Sequence, residues 1–251
     1  MAIARYEDLC IDTVGGEELG RFWAAALGLR FEPDGEAGVL PGDTPEHKVW
    51  MNVVPEAKTV KHRVHIDVHA GSVDELVALG ARVLEPAAEH DRPWTVLADP
   101  EGGEFCAFVR EPDALPAYRL YELGVDSADP REIAQWWSDV LGAQLGGDAE
   151  KGWWWLEGIP GAPFEGMSFV PVPEPKTVKN RIHWDVKVAS PDDLVNAGAR
   201  LLRERDDEIS WYVLADPEGN EFCAFTPHAE DGAEAQAEAQ TEAQTEAPAA
   251  E

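Results

Sequence analysis

The sequence predicts an α+β protein that contains four copies of a strand–helix–three-strand (βαβββ) motif. One observation is a duplicated stretch: LADPEGGEFCAF at residues 97–108 returns as LADPEGNEFCAF at residues 214–225, with a single difference. Such identity indicates an internal repeat, so the chain is two copies of one unit. The other observation is that the apolar pattern within each unit runs twice through one strand, one helix and three short strands.

The first motif shows this pattern. Residues 6–13 are typical of a strand, and apolar side chains then recur at helical spacing from Leu19 to Leu27. Gly28 predicts the end of that helix. Proline and glycine separate the short strands that follow, which are predicted at residues 30–32, 38–40 and 48–54.

The second motif and the second half of the chain repeat the order. The second motif is predicted as a strand at 63–68, a helix at 73–79 and strands at 82–85, 94–98 and 104–109. In the second half, the helices are predicted at 128–143 and 192–198. The predicted organisation is therefore a domain at 1–111, a linker at 112–117, a domain at 118–228 and a tail at 229–251.

The tail is rich in alanine, glutamate and glutamine, with seven acidic residues and no basic one. Because such a segment cannot bury enough apolar surface to offset the entropy of ordering, it is predicted to be disordered.

The chain is strongly acidic, with a formal net charge of −29. Because that charge repels phosphate backbones and anionic lipids, we expect neither nucleic acid nor a membrane as a partner. The first residues lack the pattern of a signal peptide, and no apolar run has the length of a bilayer span. The three cysteines form no closely spaced metal-binding pair, which favours free thiols in a reducing, cytoplasmic location.

The residues best suited to chemistry lie on two equivalent strands. Because alternate side chains of a strand share a face, His65 and Asp67 point one way, as do His183 and Asp185 in the second half. The opposite, apolar face is expected to pack on the helices, which leaves these pairs on a concave sheet surface. The four residues are the candidates for ligand binding and for catalysis, while a hydrogen-bonded structural pair explains them equally well. Metal ligation by His65 or His183 is the weaker alternative.

The duplicated stretch contributes further candidates for ligand binding. Glu104 and Cys106 share one face of its strand, as do Glu221 and Cys223 in the second copy. No neighbouring base marks either thiol as activated, so packing of a small apolar side chain is the default interpretation. Aromatic side chains that face the concave side would suit a flat apolar ligand; the candidates are Trp94, Trp211 and the cluster at 153–155.

Basic residues are concentrated in two short stretches that lead into the His-x-Asp strands. They could attract an anionic ligand, but in a chain this acidic, structural ion pairing is the favoured interpretation. The residues are Lys58, Lys61, Arg63, Lys176, Lys179 and Arg181.

Three features together resemble a known superfamily. They are the ADPEG-x-EF strand end, the helical segment VDSADPREIAQWWSDVLG at 125–142, and the histidine on the fifth strand of each half. They resemble the vicinal oxygen chelate superfamily, and within it the glyoxalase-like domain proteins of actinobacterial type. The resemblance covers residues 4–226 and implies two domains of the glyoxalase/bleomycin-resistance type, each with βαβββ motifs that curl into half-barrels. Related members include glyoxalase I, fosfomycin-resistance enzymes, bleomycin-binding proteins and extradiol dioxygenases.

The resemblance also implies where a metal would be held. In the metal-dependent members one ligand comes from each of the first, fifth and eighth strands, and the fifth-strand histidine corresponds to His65 and His183. The other two ligand positions hold residues of other types, namely Tyr6, Leu120, Cys106 and Cys223. Because one imidazole does not make a metal site, we expect no cofactor, with a divalent metal as the weaker alternative. A shifted ligand set would draw on Asp8, Glu104, Glu122 and Glu221.

The favoured function is therefore a metal-free protein that binds a small, partly aromatic ligand in two cups. One alternative is a divalent-metal-dependent lyase, isomerase or thiol transferase of glyoxalase type. Another is an extradiol-type dioxygenase, although its 2-His-1-carboxylate set is missing. A third is a metal-free enzyme with a His–Asp general base. The first domain is expected to pair with the second, in a monomer or a dimer.

Overall fold

The computed structural model of the chain describes residues 2–227, so the predicted disorder of the tail lies outside the described residues. The first half contains two of the four motifs. Motif 1 consists of β1 (Ala4–Thr13), α1 (Glu17–Leu27), β2 (Glu32–Asp34), β3 (Ala37–Leu40) and β4 (Val49–Val53). Motif 2 consists of β5 (Val64–Ala70), α2 (Val73–Leu79), β6 (Arg82–Glu85), α3 (Ala87–His90), β7 (Thr95–Ala98) and β8 (Glu104–Val109).

The second half contains the other two motifs. Motif 3 consists of β9 (Leu120–Ser127), α4 (Pro130–Leu141), β10 (Gln144–Asp148), β11 (Trp153–Glu157) and β12 (Gly166–Pro171). Motif 4 consists of β13 (Ile182–Val188), α5 (Pro191–Asn196), β14 (Arg200–Arg203), β15 (Tyr212–Ala215) and β16 (Glu221–Phe225). The α+β prediction with four βαβββ motifs is confirmed.

The residues that end and cap the helices act as their types predict. Gly28 ends α1 in the left-handed conformation, and its N–H donates to carbonyls of the last turn. At the N-terminus of α4, the Asp129 side chain caps the helix by accepting from the N–H of Glu132, and Pro130 lies in the first turn. Two elements were not predicted, α3 and a short 3₁₀ turn at Pro45–His47. Strand β2 begins two residues later than predicted; it contains Pro33, which an edge strand tolerates.

The strands form two eight-stranded sheets, and each sheet takes one motif from each half. Sheet A runs β14-β15-β16-β13-β1-β4-β3-β2, and sheet B runs β10-β11-β12-β9-β5-β8-β7-β6. The central pairs, β1 with β13 and β5 with β9, are antiparallel and join the two halves. The expected pairing of the first half with the second therefore occurs through these two strand pairs. We call the concave face of sheet A cup A and that of sheet B cup B.

The core lies between the two sheets, where α1 and α4 pack. Trp23 of α1 meets Phe105 of sheet B at 5.2 Å between ring centroids. Trp137 of α4 meets Trp184 and Phe222 of sheet A at 4.8 and 5.1 Å. The apolar faces of both sheets therefore pack on the helices, and the faces that carry the His-x-Asp pairs are left for the cups. Within residues 2–227, no helix combines the length and apolar character that a bilayer span requires.

The duplicated stretch forms the turn between β7 and β8 and the equivalent turn between β15 and β16. In the first copy, the Asp99 carboxylate accepts from the N–H groups of Glu101 and Gly103. The Glu101 carboxylate then reaches motif 1, where it accepts from the hydroxyl of Thr13 and from two backbone N–H groups that precede α1. Glu218 makes the same contacts at the start of α4. The repeat thus ties the two motifs of each half together.

Candidate functional site

The floor of cup B is made where β5, β8 and β9 lie side by side. Asp67 of β5 is opposite Cys106 of β8 on one side and Glu122 of β9 on the other. His65 Nε2 lies 3.3 Å from Asp67 Oδ1, and the imidazole also contacts the Cys106 thiol. The ring lies over Gly124, where an added Cβ would overlap it. Register alone therefore brings three predicted candidates together, with Glu122 as a fourth polar group.

Cup B is electrostatically polarised. Burial alone would lower the pKa of His65, but the adjacent Asp67 carboxylate outweighs it and raises that pKa well above its usual value. Burial, together with the charge and hydrogen bond of Asp67, raises the pKa of Glu122 to about 8. Asp67 is therefore flanked by an imidazole and a carboxyl group whose pKa values are both raised. Asp67 Oδ1 is buried and has no aligned hydrogen-bond donor among the described residues.

Aromatic side chains form the wall of cup B. Trp94, just before β7, meets Trp153 of β11 at 6.4 Å and Phe108 of β8 at 5.7 Å between ring centroids. If sheet B were flat, β7 and β11 would be about 24 Å apart. The contact between the two indoles therefore shows that the sheet curls into a half-barrel. Tyr121 packs on Phe108 at 4.8 Å and extends the wall towards the floor.

The floor of cup A has the same layout with different residues. Asp185 of β13 is opposite Cys223 of β16, and His183 is opposite Cys10 of β1. The side chains of the floor are in contact with one another. Cys10 Sγ lies 3.5 Å from Asp185 Oδ2, and Cys223 Sγ lies 3.6 Å from His183 Nε2. His183 Nε2 lies 3.5 Å from Asp185 Oδ1. Cys10 thus occupies the place that Gly124 holds in cup B.

Cup A is electrically neutral where cup B is polarised. His183 and Asp185 are close enough for an ion pair, but burial, helped by Lys179, lowers the pKa of His183 to about 3. Burial, with Asp8 beside it, raises the pKa of Asp185 well above its usual value. We therefore interpret this pair as a neutral imidazole next to a protonated carboxyl group.

Cup A is also more filled. Trp50 of β4 lies opposite Cys10, and its indole Nε1 donates to Asp8 at 2.8 Å. The equivalent position in cup B is Ser168 of β12, which lies opposite Gly124. Cup A therefore carries a large ring at the position where cup B carries a small hydroxyl.

The walls of the two cups also differ in the size and aromatic character of their side chains. Trp155 pairs with Ser168 and so shares its face of cup B, and the corresponding pair in cup A is Val39 with Trp50. Trp211 packs on Phe225 at 5.6 Å, as Trp94 packs on Phe108. The further aromatic residues of cup B are replaced in cup A by smaller or charged ones. Of the two predicted cups, cup B therefore has the more aromatic wall.

Glu104 and Glu221 are not brought to the cup floors. Each carboxylate binds a lysine, Lys58 or Lys176, at 2.9 and 2.7 Å. Each also accepts from a backbone N–H at the start of the His-x-Asp strand. Structural ion pairing of the basic residues is confirmed, with the pairs Lys58–Glu104, Lys61–Asp126, Arg63–Glu218, Lys176–Glu221, Lys179–Asp12 and Arg181–Glu101.

A cavity of about 760 Å³ lies outside both cups, between the two basic stretches. Its walls take equivalent residues from both halves, for example Val60 and Val178, so it lies on the pseudo-two-fold axis between them. Its volume is typical of a ligand pocket. Its cationic side chains, however, are paired with carboxylates, so it offers fewer unpaired recognition groups than the floor of cup B.

A model of the glyoxalase-like domain matches the chain twice, at residues 8–108 and 122–225. The chain belongs to the glyoxalase-like domain family. The fold is similar to that of glyoxalase I from Zea mays, with a TM-score of 0.61, 13% identity, and 92% of this chain and 95% of that chain covered. It is also similar to a putative dioxygenase from Bacillus subtilis, with a TM-score of 0.59, 12% identity, and 90% and 86% covered. Among curated proteins, none matches the sequence. The superfamily resemblance and the fold it implies are thereby confirmed.

Membership of the glyoxalase-like family raises the question of a divalent metal, and cup B lacks part of the ligand set that the superfamily resemblance implies. Its first-strand ligand position is Leu120, which is buried in the core, and Gly124 offers no side chain. The Asp67 carboxylate raises the pKa of His65, so a metal would have to displace a proton from this imidazole. Each cup nevertheless gathers three donor atoms that lie within 4.8 Å of one another, from His65, Asp67 and Cys106 in cup B and from Cys10, His183 and Asp185 in cup A. Sulfur and nitrogen donors of this kind suit a thiophilic cation.

Several residues of the two cups were not identified from the sequence. Gly124 and Ser168 matter because they are small, and a small residue in a strand carries no chemical signal of its own. Trp50 and Cys10 lie on strands without a His-x-Asp pair, and only the register brings them to the floor of cup A. Glu122 was considered only as a shifted metal ligand. A comparison of equivalent positions in motifs 1 and 3 would have shown Cys10 against Gly124.

Proposed function

We propose that this protein binds a small molecule in cup B, without a metal there, and that the ligand is a planar aromatic compound that carries a hydrogen-bond donor such as a hydroxyl. The observation that carries the proposal is the aromatic wall with its Trp94–Trp153 pair, in the cup whose floor holds the buried polar pair of His65 and Asp67. Offset or edge contacts with indole rings stabilise an aromatic ligand. A donor on the ligand would add an aligned hydrogen bond to Asp67 Oδ1, which contacts His65 Nε2 at 3.3 Å without one.

The wall is tested by titrating the protein with 2-naphthol and measuring heat and tryptophan fluorescence. Trp94→Ala should weaken binding about tenfold, because it removes an aromatic contact of about 1–1.5 kcal/mol. The chain provides a matched control in Trp211→Ala, which makes the equivalent change in cup A and should leave the affinity unchanged. Equal losses in the two variants would contradict the assignment to cup B.

The floor is tested by changing the ligand as well as the protein. Asp67→Asn removes a charged acceptor and should weaken 2-naphthol binding while leaving naphthalene, which has no donor, almost unaffected. Asp185→Asn makes the same change in cup A and should alter neither affinity. If Asp67→Asn weakened both ligands equally, the effect would be on the fold and not on a hydrogen bond to the ligand.

The alternative activities stay predictions. Similarity to glyoxalase I and to a putative dioxygenase at 12–13% identity supports the fold alone. A cytoplasmic location is part of the proposal, supported by three free, buried thiols. Recovery of the protein from an extracytoplasmic fraction of its native cells would contradict that location.

A further inference from the structure

Cup A, which the proposed function does not use, gathers two thiols, an imidazole and a carboxyl group. Cys10 and Asp185 are 3.5 Å apart at Sγ and Oδ2, and Cys223 and His183 are 3.6 Å apart at Sγ and Nε2. His183 Nε2 and Asp185 Oδ1 are 3.5 Å apart. The side chains of all four residues are buried, and three different strands carry them.

These separations match the edges of a tetrahedral zinc site. Zinc bonds of about 2.0 Å to nitrogen or oxygen and about 2.3 Å to sulfur place neighbouring donors about 3.3–3.8 Å apart. The three separations of 3.5–3.6 Å fall within that interval. Cys10, His183 and Asp185 have donor atoms that all lie within 4.8 Å of one another, and Cys223 adjoins this group at His183. A four-coordinate ion therefore requires the Cys223 side chain to move inwards, without a change in strand register.

A second observation points to a missing partner. Asp185 Oδ1 is buried and has no hydrogen-bond partner among the described residues, although it lies within the cluster. Asp8 lies beside the Asp185 carboxyl group and accepts from Trp50 Nε1 at 2.8 Å. Hydrogen bonds around a site of this kind hold its polar groups in place. A cation between the four side chains would satisfy Asp185 Oδ1.

Cup B serves as an internal comparison. It keeps the histidine, the aspartate and the closing-strand cysteine as His65, Asp67 and Cys106, but Gly124 replaces the thiol of Cys10. A tetrahedral thiophilic site therefore has its full set of donors in cup A alone, which makes one ion per chain the expected stoichiometry.

We propose that cup A binds one Zn²⁺ through Cys10, His183, Asp185 and Cys223, as a closed structural site. Binding replaces the thiol protons of Cys10 and Cys223 and the carboxyl proton of Asp185; all three pass to solvent, and no redox step is involved. Because β1 belongs to the first half and β13 and β16 to the second, the ion cross-links the two halves. The two-thiolate set differs in chemistry from the histidine-and-glutamate set that the superfamily resemblance implies.

The test uses the full chain, purified with a reductant, stripped with a chelator and titrated with Co²⁺ as a spectroscopic substitute for Zn²⁺. One equivalent should bind with a thiolate-to-cobalt charge-transfer band, and Zn²⁺ should displace it. Zn²⁺ at a hundredfold excess over Kd should raise the Tm by about 5–10 °C.

The matched variants are Cys10→Ser and Cys223→Ser in cup A and Cys106→Ser in cup B. The first two should lose the band and weaken Zn²⁺ binding by about 100-fold or more, and Cys106→Ser should keep both. If Cys10→Ser does not fold, Cys10→Gly takes its place, because cup B already tolerates glycine at the equivalent position.

Three results would overturn the proposal. They are no saturable binding of Co²⁺ or Zn²⁺ by the unaltered protein, loss of binding in Cys106→Ser but not in Cys10→Ser, or two equivalents bound. None of them bears on the ligand site of cup B, because 2-naphthol binding is measured on the metal-stripped protein as well.

Discussion

One residue on the floor of each cup accounts for much of the difference between them. In cup B the imidazole of His65 occupies the space above Gly124, and a Cβ there would overlap the ring. In cup A the same place holds Cys10, and His183 meets the thiol of Cys223. The same backbone therefore supports a polarised ligand floor in one cup and a thiol-rich cluster in the other.

The first prediction concerns Gly124→Ala. The added methyl group must displace His65 from Asp67, so 2-naphthol binding should be lost and the free energy of unfolding should fall by about 1–3 kcal/mol. Calorimetry and denaturant titration measure the two effects. Cys10→Ala, the control in cup A, should keep the affinity for 2-naphthol. Unchanged binding and stability in Gly124→Ala would contradict this account of the floor.

The second prediction concerns the pH dependence of stability. The pKa of Glu122 is raised to about 8 from a usual value near 4.5, so the folded state holds a proton that the unfolded state has lost between these pH values. Glu122 therefore makes the free energy of unfolding fall as pH rises through that window, by at most about 1.4 kcal/mol per pH unit.

Removing the Glu122 carboxyl group should remove its contribution to the pH dependence of the free energy of unfolding. Glu122→Gln should flatten the fall in unfolding free energy between about pH 5 and pH 8 relative to the unaltered protein. Denaturant titrations at several pH values measure it. Glu204→Gln, at an exposed carboxylate, is the control and should leave the slope as it was. A slope unchanged by Glu122→Gln would mean that this carboxyl group is ionised in the folded state.

At the scale of elements, the duplicated turn joins the motifs of each half. Asp99 shapes the turn between β7 and β8, and Glu101 reaches from it to the N–H groups before α1. Arg181 of the other half also binds Glu101, at 3.2 Å. The near-identity of the two copies is therefore explained by shared structure, without any role in a reaction.

The third prediction follows from these contacts. Glu101→Ala leaves several buried or partly buried donors without an acceptor and should lower the free energy of unfolding by about 2–3 kcal/mol. Glu218→Ala should do the same from the second copy. Glu204→Ala, at an exposed position, should change stability by less than about 0.5 kcal/mol. Denaturant titration separates these outcomes, and equal stabilities for all three variants would contradict the role of the turn.

Sequence reasoning succeeded where the signal is local. Alternation placed His65 and Asp67 on one face, and the apolar spacing from Leu19 to Leu27 gave α1. The registers that bring Glu122 and Gly124 to His65 join strands from different halves, and no local pattern records them. The sequence also left open which motif pairs with which, because all four motifs carry similar apolar faces.

At the scale of the whole molecule, the two halves are not separate globules. Each eight-stranded sheet has strands of both halves at its centre, so neither cup exists within one half alone. The boundaries 1–111 and 118–228 describe the sequence repeat and remain predictions for the domains. Both cups depend on the contact between halves.

The fourth prediction tests this interdependence. A protease site inserted at 112–117 and cleaved should leave the two pieces associated, with the mass of the intact chain by light scattering, until denaturant is added. The β1–β13 and β5–β9 pairings are expected to hold them together. Separation into two folded monomers after cleavage would contradict the shared sheets.

The central claim is that an aromatic ligand binds in cup B. The most direct test records the indole N–H resonances of the ten tryptophans by NMR during titration with 2-naphthol, each assigned by a Trp→Phe variant. The account predicts saturable shifts at Trp94, Trp153 and Trp155, with Trp50 and Trp211 of cup A unaffected. Shifts confined to Trp50 and Trp211, or no saturable shift at any indole of cup B, would contradict it.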